Sequence, residues 1–255
     1  MNTNQNAPTP PMPKSVKLSS KPHKFCPGCG HPVVLNEIGF TVDALKLQDK
    51  TAFFIDIGCS LLAWDYFDID TSQTHHGRTI PVAVGFKRAH TAATVLAYLG
   101  DGGGYAIGMQ HLIHATLRND PITVIIINNL TYAMTGGQMA PTTLIKQPIT
   151  TTAPFGRNID FYGQTLHAPE LLETIARKGA YIARSSVDNP LEVRRIITRA
   201  IEHQNANKGF SFVEVLSYCP TNWKTNAEET IQLLNSVKKD FPIYETIVGN
   251  ETGKK

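Results

Sequence analysis

The chain has 255 residues, 42% hydrophobic and 18% charged, which suits one α/β domain with a sizeable core and is too short for several full domains. Its 24 basic and 21 acidic residues leave a formal charge of +3, a mild imbalance without the concentrated basic face typical of nucleic-acid-binding proteins. Four cysteines are too few for a disulfide-stapled secreted domain. The chain has no apolar run of 18 residues, so the sequence predicts no membrane span.

The first 24 residues differ in composition from the rest of the chain. They contain five prolines and four lysines and lack an apolar stretch. A secretory signal needs such a stretch, so we expect a cytoplasmic protein. The composition predicts a flexible or extended arm over residues 1–24, either a disordered tail or a segment that lies over a partner chain. A domain is predicted over 25–230, and a C-terminal helix and tail over 231–255.

After the arm, apolar runs alternate with stretches of helical periodicity. Strands are predicted for Thr51–Ile57, Thr94–Leu99, Ile122–Ile127, Tyr181–Arg184 and Phe210–Leu216, and helices for Val82–Thr91, Ile107–Arg118, Pro169–Lys178 and Pro190–Gln204. This alternation predicts an α/β fold with a mostly parallel sheet and helices on both faces. The long stretch Thr131–Gly163 has no clear period, and such segments inside a compact domain are usually functional.

A glycine-rich turn, Gly100-Asp101-Gly102-Gly103-Gly104, follows a predicted strand and opens a helix. Glycines let the backbone approach phosphate closely, and the helix N-terminus offers free N–H groups. The pair Asn128-Asn129 ends the next strand, 25 residues on when counted from Gly103 to Ile127. Carboxylate and amide oxygens suit Mg²⁺, and both motifs fall at the carboxyl ends of neighbouring strands, where α/β proteins bind ligands.

This order of motifs resembles the signature of thiamine diphosphate enzymes. The resemblance implies that Asp101, the Asn129 side chain and the Thr131 carbonyl hold Mg²⁺, with Gly102 and Gly103 against the diphosphate. It also implies a single thiamine diphosphate-binding domain. A plain nucleotide-binding site is a weaker alternative, because neither G-x-G-x-x-G nor G-x-x-x-x-G-K-[ST] occurs.

The four cysteines come from three separate segments: Cys26 and Cys29 form a C-x-x-C knuckle, while Cys59 and Cys219 stand alone. Four dispersed thiolates fit a [4Fe–4S] cluster. A C-x-x-C zinc site with two buried thiols is the alternative, because ligand softness does not separate the two metals. A structural zinc ribbon would normally show a second C-x-x-C, and none occurs.

Taken together, the motifs resemble the β subunit of 2-oxoacid:ferredoxin oxidoreductases over roughly residues 20–225. The matching motifs, in chain order, are Cys26-Pro27-Gly28-Cys29-Gly30-His31, Ile57-Gly58-Cys59-Ser60, His76-Gly77-Arg78, the glycine-rich turn Gly100-Asp101-Gly102-Gly103-Gly104 (hereafter the diphosphate turn), Thr135-Gly136-Gly137-Gln138 and Pro220-Thr221-Asn222-Trp223. The resemblance implies that Cys26, Cys29, Cys59 and Cys219 bind a [4Fe–4S] cluster. It also implies a cofactor lining formed by Ile57, Gly58, Cys59, Ser60, His76, Ala133 and Met134.

His76 and Arg78 are the candidate catalytic residues. A lone histidine is more often a structural hydrogen-bonding residue, but within this motif we favour a diphosphate or substrate contact, since histidine protonation is readily tuned. Arg78 can balance anionic charge with a bidentate contact. Glu37 and Glu214 are interpreted as helix-surface and strand-end residues.

The resemblance also implies partners and substrates. Thiamine diphosphate would decarboxylate a 2-oxoacid, the cluster would pass electrons to ferredoxin, and the acyl group would go to CoA. The glutamate that activates the cofactor belongs in this class to a pyrimidine-binding domain. We therefore expect an α subunit that carries this domain and a small cluster-carrying subunit, with the active site at an interface.

The residues after Cys59 bear on the choice of 2-oxoacid. Family members that act on 2-oxoglutarate tend to have an arginine here, whereas this chain has Leu61-Leu62-Ala63-Trp64. An unpaired buried carboxylate is costly, so we favour a branched-chain 2-oxoacid such as 2-oxoisovalerate, with 2-oxoglutarate next. The rival functions are a non-redox thiamine diphosphate decarboxylase or synthase subunit, which leaves the cysteines without a joint role, and a zinc-knuckle nucleic-acid-binding module.

Overall fold

The sheet forms from short apolar runs. In one strand, Thr123–Asn128, all six residues are buried because helices cover both faces of the sheet. The computed structural model describes residues 12–17, 19 and 22–249. The strands are β1 Thr51–Ile55, β2 Asp70–Gln73, β3 Thr94–Gly100, β4 Thr123–Asn128, β5 Thr131–Tyr132, β6 Gln138–Met139, β7 Tyr181–Ser186, β8 Ser211–Leu216 and β9 Tyr244–Ile247.

Seven strands build one sheet in the order β2-β1-β3-β4-β8-β7-β9. All neighbours in it are parallel except β9, which pairs antiparallel with β7. The strands β5 and β6 form a separate antiparallel hairpin. The carboxyl ends of β1, β2, β3, β4 and β8 therefore meet at one edge of the main sheet. A ligand site is expected there in an open α/β sheet.

The helices are α1 His31–Ala44, α2 Thr79–Ala89, α3 Met109–Arg118, α4 Ile159–Tyr162, α5 Ala168–Ile175, α6 Pro190–Asn205, α7 Pro220–Trp223 and α8 Ala227–Asp240. Helices α1, α6 and α8 bury their apolar residues on one face of the sheet. Helices α2, α3 and α5 cover the other face. Successive strand residues alternate between these two cores, as Phe53 and Phe54 do, because side chains alternate across a strand.

Local signals explain where several helices begin and end. The Asn226 side chain accepts a hydrogen bond from the backbone of Glu229, whose side chain accepts one from the Asn226 backbone, a capping box at the start of α8. Helix α3 ends at Asn119, which adopts a left-handed conformation with φ of 56°, shortly before Pro121. Within the described ranges, no helix combines the length and the apolar character needed to cross a bilayer.

The predicted alternation of strands and helices is confirmed, with ends that differ by a few residues. The prediction omitted helix α1, strand β2 and the short helix α7. The irregular stretch contains the β5–β6 hairpin and the short helix α4, and the C-terminal segment adds β9 to the sheet. The surface interpretation of Glu37 is wrong, because it is 6% exposed and pairs with Arg194. Glu214 lies inside β8 with no exposed surface, so the strand-end interpretation is also wrong.

The described part of the predicted arm packs on the domain. Val16 is buried and forms an antiparallel bridge with Phe67, while the backbone N–H groups of Lys14 and Ser15 donate to Asp43 in α1. Residues 12–17 thus pack on the chain's own core. Arm residues 1–11, 18, 20 and 21, and the predicted tail after residue 249, lie outside the described residues.

Candidate functional site

A cleft opens at the carboxyl edge of the sheet, where open α/β sheets bind ligands. Four of the strands that end at this edge lead into it: most of the lining comes from the turns after β1, β2, β3 and β4. The predicted site residues among the lining are Ile57, Gly58, Cys59, His76, Asp101, Gly102, Gly103, Asn129, Thr131, Ala133 and Met134. The topology therefore brings together residues that are up to 77 positions apart, from Ile57 to Met134.

Asp101 is the buried carboxylate of the cleft. It is 1% exposed; its Oδ1 accepts the Gly102 N–H at 2.9 Å and its Oδ2 accepts the Thr142 hydroxyl at 2.5 Å. Burial raises its pKa to about 7, and the nearby Glu214 adds to the rise while the two hydrogen bonds oppose it. A desolvated carboxylate of this kind is stabilised by a cation at its free lone pairs.

The turn between Asn129 and Thr131 is held in an unusual backbone conformation. Leu130 adopts a φ of 67°, a left-handed conformation that is uncommon for a bulky residue and often marks a functional turn. Asn128 and Asn129 each accept a backbone N–H two residues on, and Trp223 donates to the Asn129 carbonyl at 3.0 Å. The turn thus directs Asn129 and Thr131 to the same cleft as Asp101.

The glycines of the diphosphate turn allow close packing on both sides. A Cβ added at Gly102 would lie 2.3 Å from the Tyr132 ring, and one at Gly103 would lie 1.9 Å from Asp56 Oδ2. The Tyr132 hydroxyl also donates to the Gly102 carbonyl at 2.9 Å. A side chain at either position would therefore displace the groups that form the cleft.

His76 lines the cleft and Arg78 does not. His76 Nδ1 lies 3.1 Å from Asp56 Oδ2, while Asp56 Oδ1 accepts the Gly77 N–H at 2.6 Å. Burial raises the pKa of Asp56, against the opposing effects of Gly77 and His76. Arg78 is exposed and reaches the Ile107 carbonyl at 3.4 Å. Ser60 is buried beside the cleft and donates to the Asp56 carbonyl.

The four cysteines are free, and Cys59 lines the cleft. The charges of Cys29, Cys219 and Cys26 contribute to a raised pKa of Cys59, so the three cysteine segments lie close to one another. Burial is the main reason that the pKa values of Cys29 and Cys59 rise to about 12. Four sulfur ligands suit iron–sulfur or zinc binding, and a positive centre would offset the desolvation of the thiolates. In the part of the chain that the structure describes, no group of three or more His, Cys, Asp or Glu side chains is spaced to hold a metal ion.

Three residues that shape the site, Asp56, His31 and Tyr132, had no role assigned from the sequence. Asp56 directly follows a buried strand and His31 ends the cysteine motif, so both had a usable signal, whereas Tyr132 had none. His31 also lines the cleft; its Nδ1 lies 2.7 Å from the Tyr98 hydroxyl, and complete burial lowers its pKa to about 3. His31 is therefore neutral between the cysteine knuckle and the cleft.

One buried arginine organises the irregular segment that borders the site. The Arg157 guanidinium is 4% exposed and donates to six backbone carbonyl groups, those of Ala140, Pro141, Thr143, Tyr162, Gly163 and Gln164. The same segment supplies Thr142, which donates to Asp101. Arg157 thus fixes the backbone that delivers this hydroxyl to the cleft.

Comparison with known proteins gives matches over most of the chain. Residues 56–215 match the family described as thiamine pyrophosphate enzyme, C-terminal TPP binding domain. Ketoisovalerate oxidoreductase subunit VorA of Methanothermobacter thermautotrophicus is 40% identical over 223 residues, which are 86% of this chain and 46% of that protein. The chain thus spans about half the length of this relative.

Two further relatives are covered more completely. The 2-oxoglutarate synthase subunit KorB of Methanothermobacter marburgensis is 35% identical over 244 residues, 94% of this chain and 80% of that protein. The solved structure of 2-oxoglutarate:ferredoxin oxidoreductase from Magnetococcus marinus, with 2-oxoglutarate, coenzyme A and succinyl-CoA bound, has a TM-score of 0.76 and 28% identity. That match covers 89% of this chain and 73% of the other.

Proposed function

This chain belongs to the thiamine pyrophosphate-binding subunits of the 2-oxoacid:ferredoxin oxidoreductases, and we propose that it forms half of the active site of such an enzyme. In this proposal the enzyme converts a 2-oxoacid and CoA to acyl-CoA and CO₂ and passes electrons to ferredoxin in the cytoplasm. One observation carries the proposal: Cys59 lines the Asp101 cleft and lies within electrostatic range of the other three cysteines. A cofactor site and an electron-accepting centre would therefore meet at one residue.

The residues of the cleft fit thiamine diphosphate with Mg²⁺. Asp101, the Asn129 side chain and the Thr131 carbonyl would hold the metal ion, with Gly102 and Gly103 against the diphosphate. The bound cofactor supplies the decarboxylation chemistry, and the chain orients it and excludes water. The proposed walls are Ile57, Gly58, Ser60, His76, Ala133 and Met134.

The cofactor needs a carboxylate that this cleft does not offer. Among the lining residues that the structure describes, Asp101 is the sole acidic side chain, and it faces the proposed metal. Glu37 and Glu214 are buried in pairs with Arg194 and Arg184. We therefore infer that an α subunit with a pyrimidine-binding domain provides the activating glutamate. A small cluster-carrying subunit is the further partner in this proposal.

The cysteine centre provides the first test. We expect anaerobically purified chain to contain iron and acid-labile sulfide in the ratio of a [4Fe–4S] cluster, bound by Cys26, Cys29, Cys59 and Cys219. Cys219→Ala should lose most of this iron, because removing one of four thiolates leaves a cluster position without its ligand. Metal and sulfide analysis with electron paramagnetic resonance after reduction measures both.

A buried serine of the same segment provides the control. Ser217→Ala should retain wild-type iron, since a hydroxyl is not a cluster ligand. Zinc in place of iron would contradict the cluster. Protein with thiamine diphosphate-dependent activity but no iron would instead support a non-redox decarboxylase or synthase subunit.

Substrate choice provides the second test. We propose a branched-chain 2-oxoacid, because Leu61 and Leu62 follow Cys59 in a short 3₁₀ helix and offer no charge to a distal carboxylate. With the assembled enzyme, kcat/KM for 2-oxoisovalerate should exceed that for 2-oxoglutarate on the order of 10²-fold. Steady-state CoA-dependent turnover on both substrates measures the ratio.

A charge-introducing variant sharpens this comparison. Leu61→Arg should shift the ratio toward 2-oxoglutarate, since a guanidinium pairs with a distal carboxylate. Leu61→Met is the matched control, because it conserves volume without adding charge. A wild-type preference for 2-oxoglutarate would contradict the branched-chain assignment but not the proposed class of enzyme.

A further inference from the structure

We propose that Asp56 is a positioning residue that fixes the tautomer and orientation of His76, so that His76 Nε2 faces the ligands of the cleft. The ligand that His76 contacts is the cofactor diphosphate or the 2-oxoacid, so this inference rests on the proposed function. Asp56 follows β1 and His76 follows β2, two neighbouring parallel strands. The sheet therefore holds both residues at one edge.

Asp56 is fully buried and held on both carboxylate oxygens. Its Oδ1 accepts the Gly77 N–H at 2.6 Å and the Thr79 hydroxyl at 3.1 Å, and its Oδ2 lies 3.1 Å from His76 Nδ1. The two Oδ1 donors come from the turn that carries His76 and from the start of α2. The carboxylate thus has a fixed rotamer with one oxygen left for the imidazole.

This contact determines which imidazole nitrogen carries the proton. An ionised carboxylate only accepts hydrogen bonds, so Nδ1 must be the donor to Asp56. The other nitrogen, Nε2, then serves the cleft that His76 lines. The His76 side chain is 33% exposed, whereas that of Asp56 has no exposed surface, so a ligand can reach the histidine and not the carboxylate.

The pair lies directly against the diphosphate turn. A Cβ at Gly103 would lie 1.9 Å from Asp56 Oδ2 and 3.3 Å from His76 Cε1. The Tyr132 ring, whose hydroxyl binds the Gly102 carbonyl, stands edge-on to His76 with centroids 6.2 Å apart. His76 is therefore confined between the two sides of the cleft where anionic groups of the ligands would lie.

Asp56→Asn tests the pair with a nearly isosteric change. The Gly77 N–H requires an oxygen at the Oδ1 position, so the new amide must place its NH₂ toward His76. An NH₂ group donates, so Nδ1 must become the acceptor and the proton must move to Nε2. The variant keeps the volume of the site and reverses the direction of the hydrogen bond to His76.

The first measurement is the tautomer itself, from the side-chain nitrogen shifts of ¹⁵N-histidine-labelled full chain, with His76→Gln used to assign the signal. We expect Nδ1 to be protonated in the wild type and Nε2 in Asp56→Asn. This readout needs no cofactor, iron or partner chain, so it stands even if the proposed function fails. The same His76 tautomer in the wild type and in Asp56→Asn would overturn the inference.

The second measurement is made on the enzyme assembled with its partner chains. Asp56→Asn should raise the KM for thiamine diphosphate or for the 2-oxoacid on the order of 10- to 100-fold, as loss of a histidine-orienting group does elsewhere. The KM that rises identifies the ligand that His76 contacts. If neither changes, the inference is overturned.

A double-mutant cycle separates positioning from a purely structural role. In the His76→Gln background, Asp56→Asn should have little further effect, because the residue it acts through is gone. Equal losses in both backgrounds would show that Asp56 acts independently of His76. Asp120→Asn is the matched control: this carboxylate is also buried, yet it pairs with Arg88 and Arg118 away from the cleft, so both KM values should remain at the wild-type level.

Discussion

Asp101→Asn is expected to remove thiamine diphosphate-dependent activity and, at the same time, to stabilise the metal-free protein. Loss of a proposed Mg²⁺ ligand should lower cofactor-dependent turnover by at least about 10²-fold, since even groups that only orient ligands cost 10- to 100-fold. The asparagine fits the site: its oxygen accepts the Gly102 N–H, and its NH₂ donates to the Thr142 hydroxyl in place of accepting from it.

The gain in stability has a defined pH dependence. Burial raises the pKa of Asp101 from 3.8 to about 7, so the folded protein binds this proton more tightly than the unfolded chain does. The free energy of unfolding of the metal-free wild type should therefore fall as pH rises from about 4 and level off above about 7, by roughly 2–4 kcal/mol from this group. The Asp101→Asn variant lacks that loss.

Thermal unfolding in the presence of a chelator measures this effect. The variant and the wild type should have similar melting temperatures near pH 4, and the variant should melt higher near pH 8. Adding Mg²⁺ with thiamine diphosphate should stabilise only the wild type. A variant that is no more stable than the wild type at high pH would show that the carboxylate pays no burial penalty. Asp120→Asn is expected to have the opposite sign, because it breaks pairs with two arginines.

Arg184→Met is expected to give the largest loss of stability, about 3–5 kcal/mol, because it leaves a buried charge without its partner. The Arg184 side chain has no exposed surface and bonds the equally buried Glu214. It also binds both oxygens of Glu170, at 2.6 and 2.7 Å, and the Pro242 carbonyl at 3.1 Å. Urea unfolding monitored by circular dichroism measures the change.

A second substitution distinguishes charge from volume. Arg184→Met combined with Glu214→Gln should recover part of the loss, because the double variant no longer buries an unpaired carboxylate. Arg195→Met, which breaks the ion pairs of the half-exposed Arg195 with Glu192 and Glu245, should cost at most about 1 kcal/mol, because Arg199 still pairs with Glu245. A loss that the second substitution leaves unchanged would assign the effect to packing around Arg184.

The same buried network lies beneath the candidate site. Glu214 Oε1 accepts hydrogen bonds from the Tyr105 hydroxyl at 2.7 Å and from the Asn128 side chain at 3.2 Å. Tyr105 belongs to the π-helical turn Gly103–Ile107 after the diphosphate glycines, and Asn128 precedes Asn129. Damage to the Arg184 pair should therefore also loosen the two turns that flank the proposed metal position.

Local patterns made much of this fold predictable from the sequence. The run Ile122–Ile127 is β-branched and apolar, and such a run is stable only as a strand covered on both faces. The Gly-Asp-Gly turn and the Asn-Asn pair then follow neighbouring strands, so their meeting at one edge follows from the parallel topology. In contrast, the hairpin β5–β6 and strand β9 have two and four residues, too short for a periodic signal.

The sequence by itself determined most of the strand–helix order, the family resemblance and the gathering of most motif residues at the carboxyl edge, because these depend on short-range patterns and on spacing. Only the tertiary structure decided the partners of buried polar groups: Asp56 with His76, and Glu214 with Arg184. Neither pairing is encoded in a local pattern, since each joins residues at least 20 positions apart. Each is selected because a desolvated charge is stable only beside a complementary group, and the fold determines which groups are adjacent.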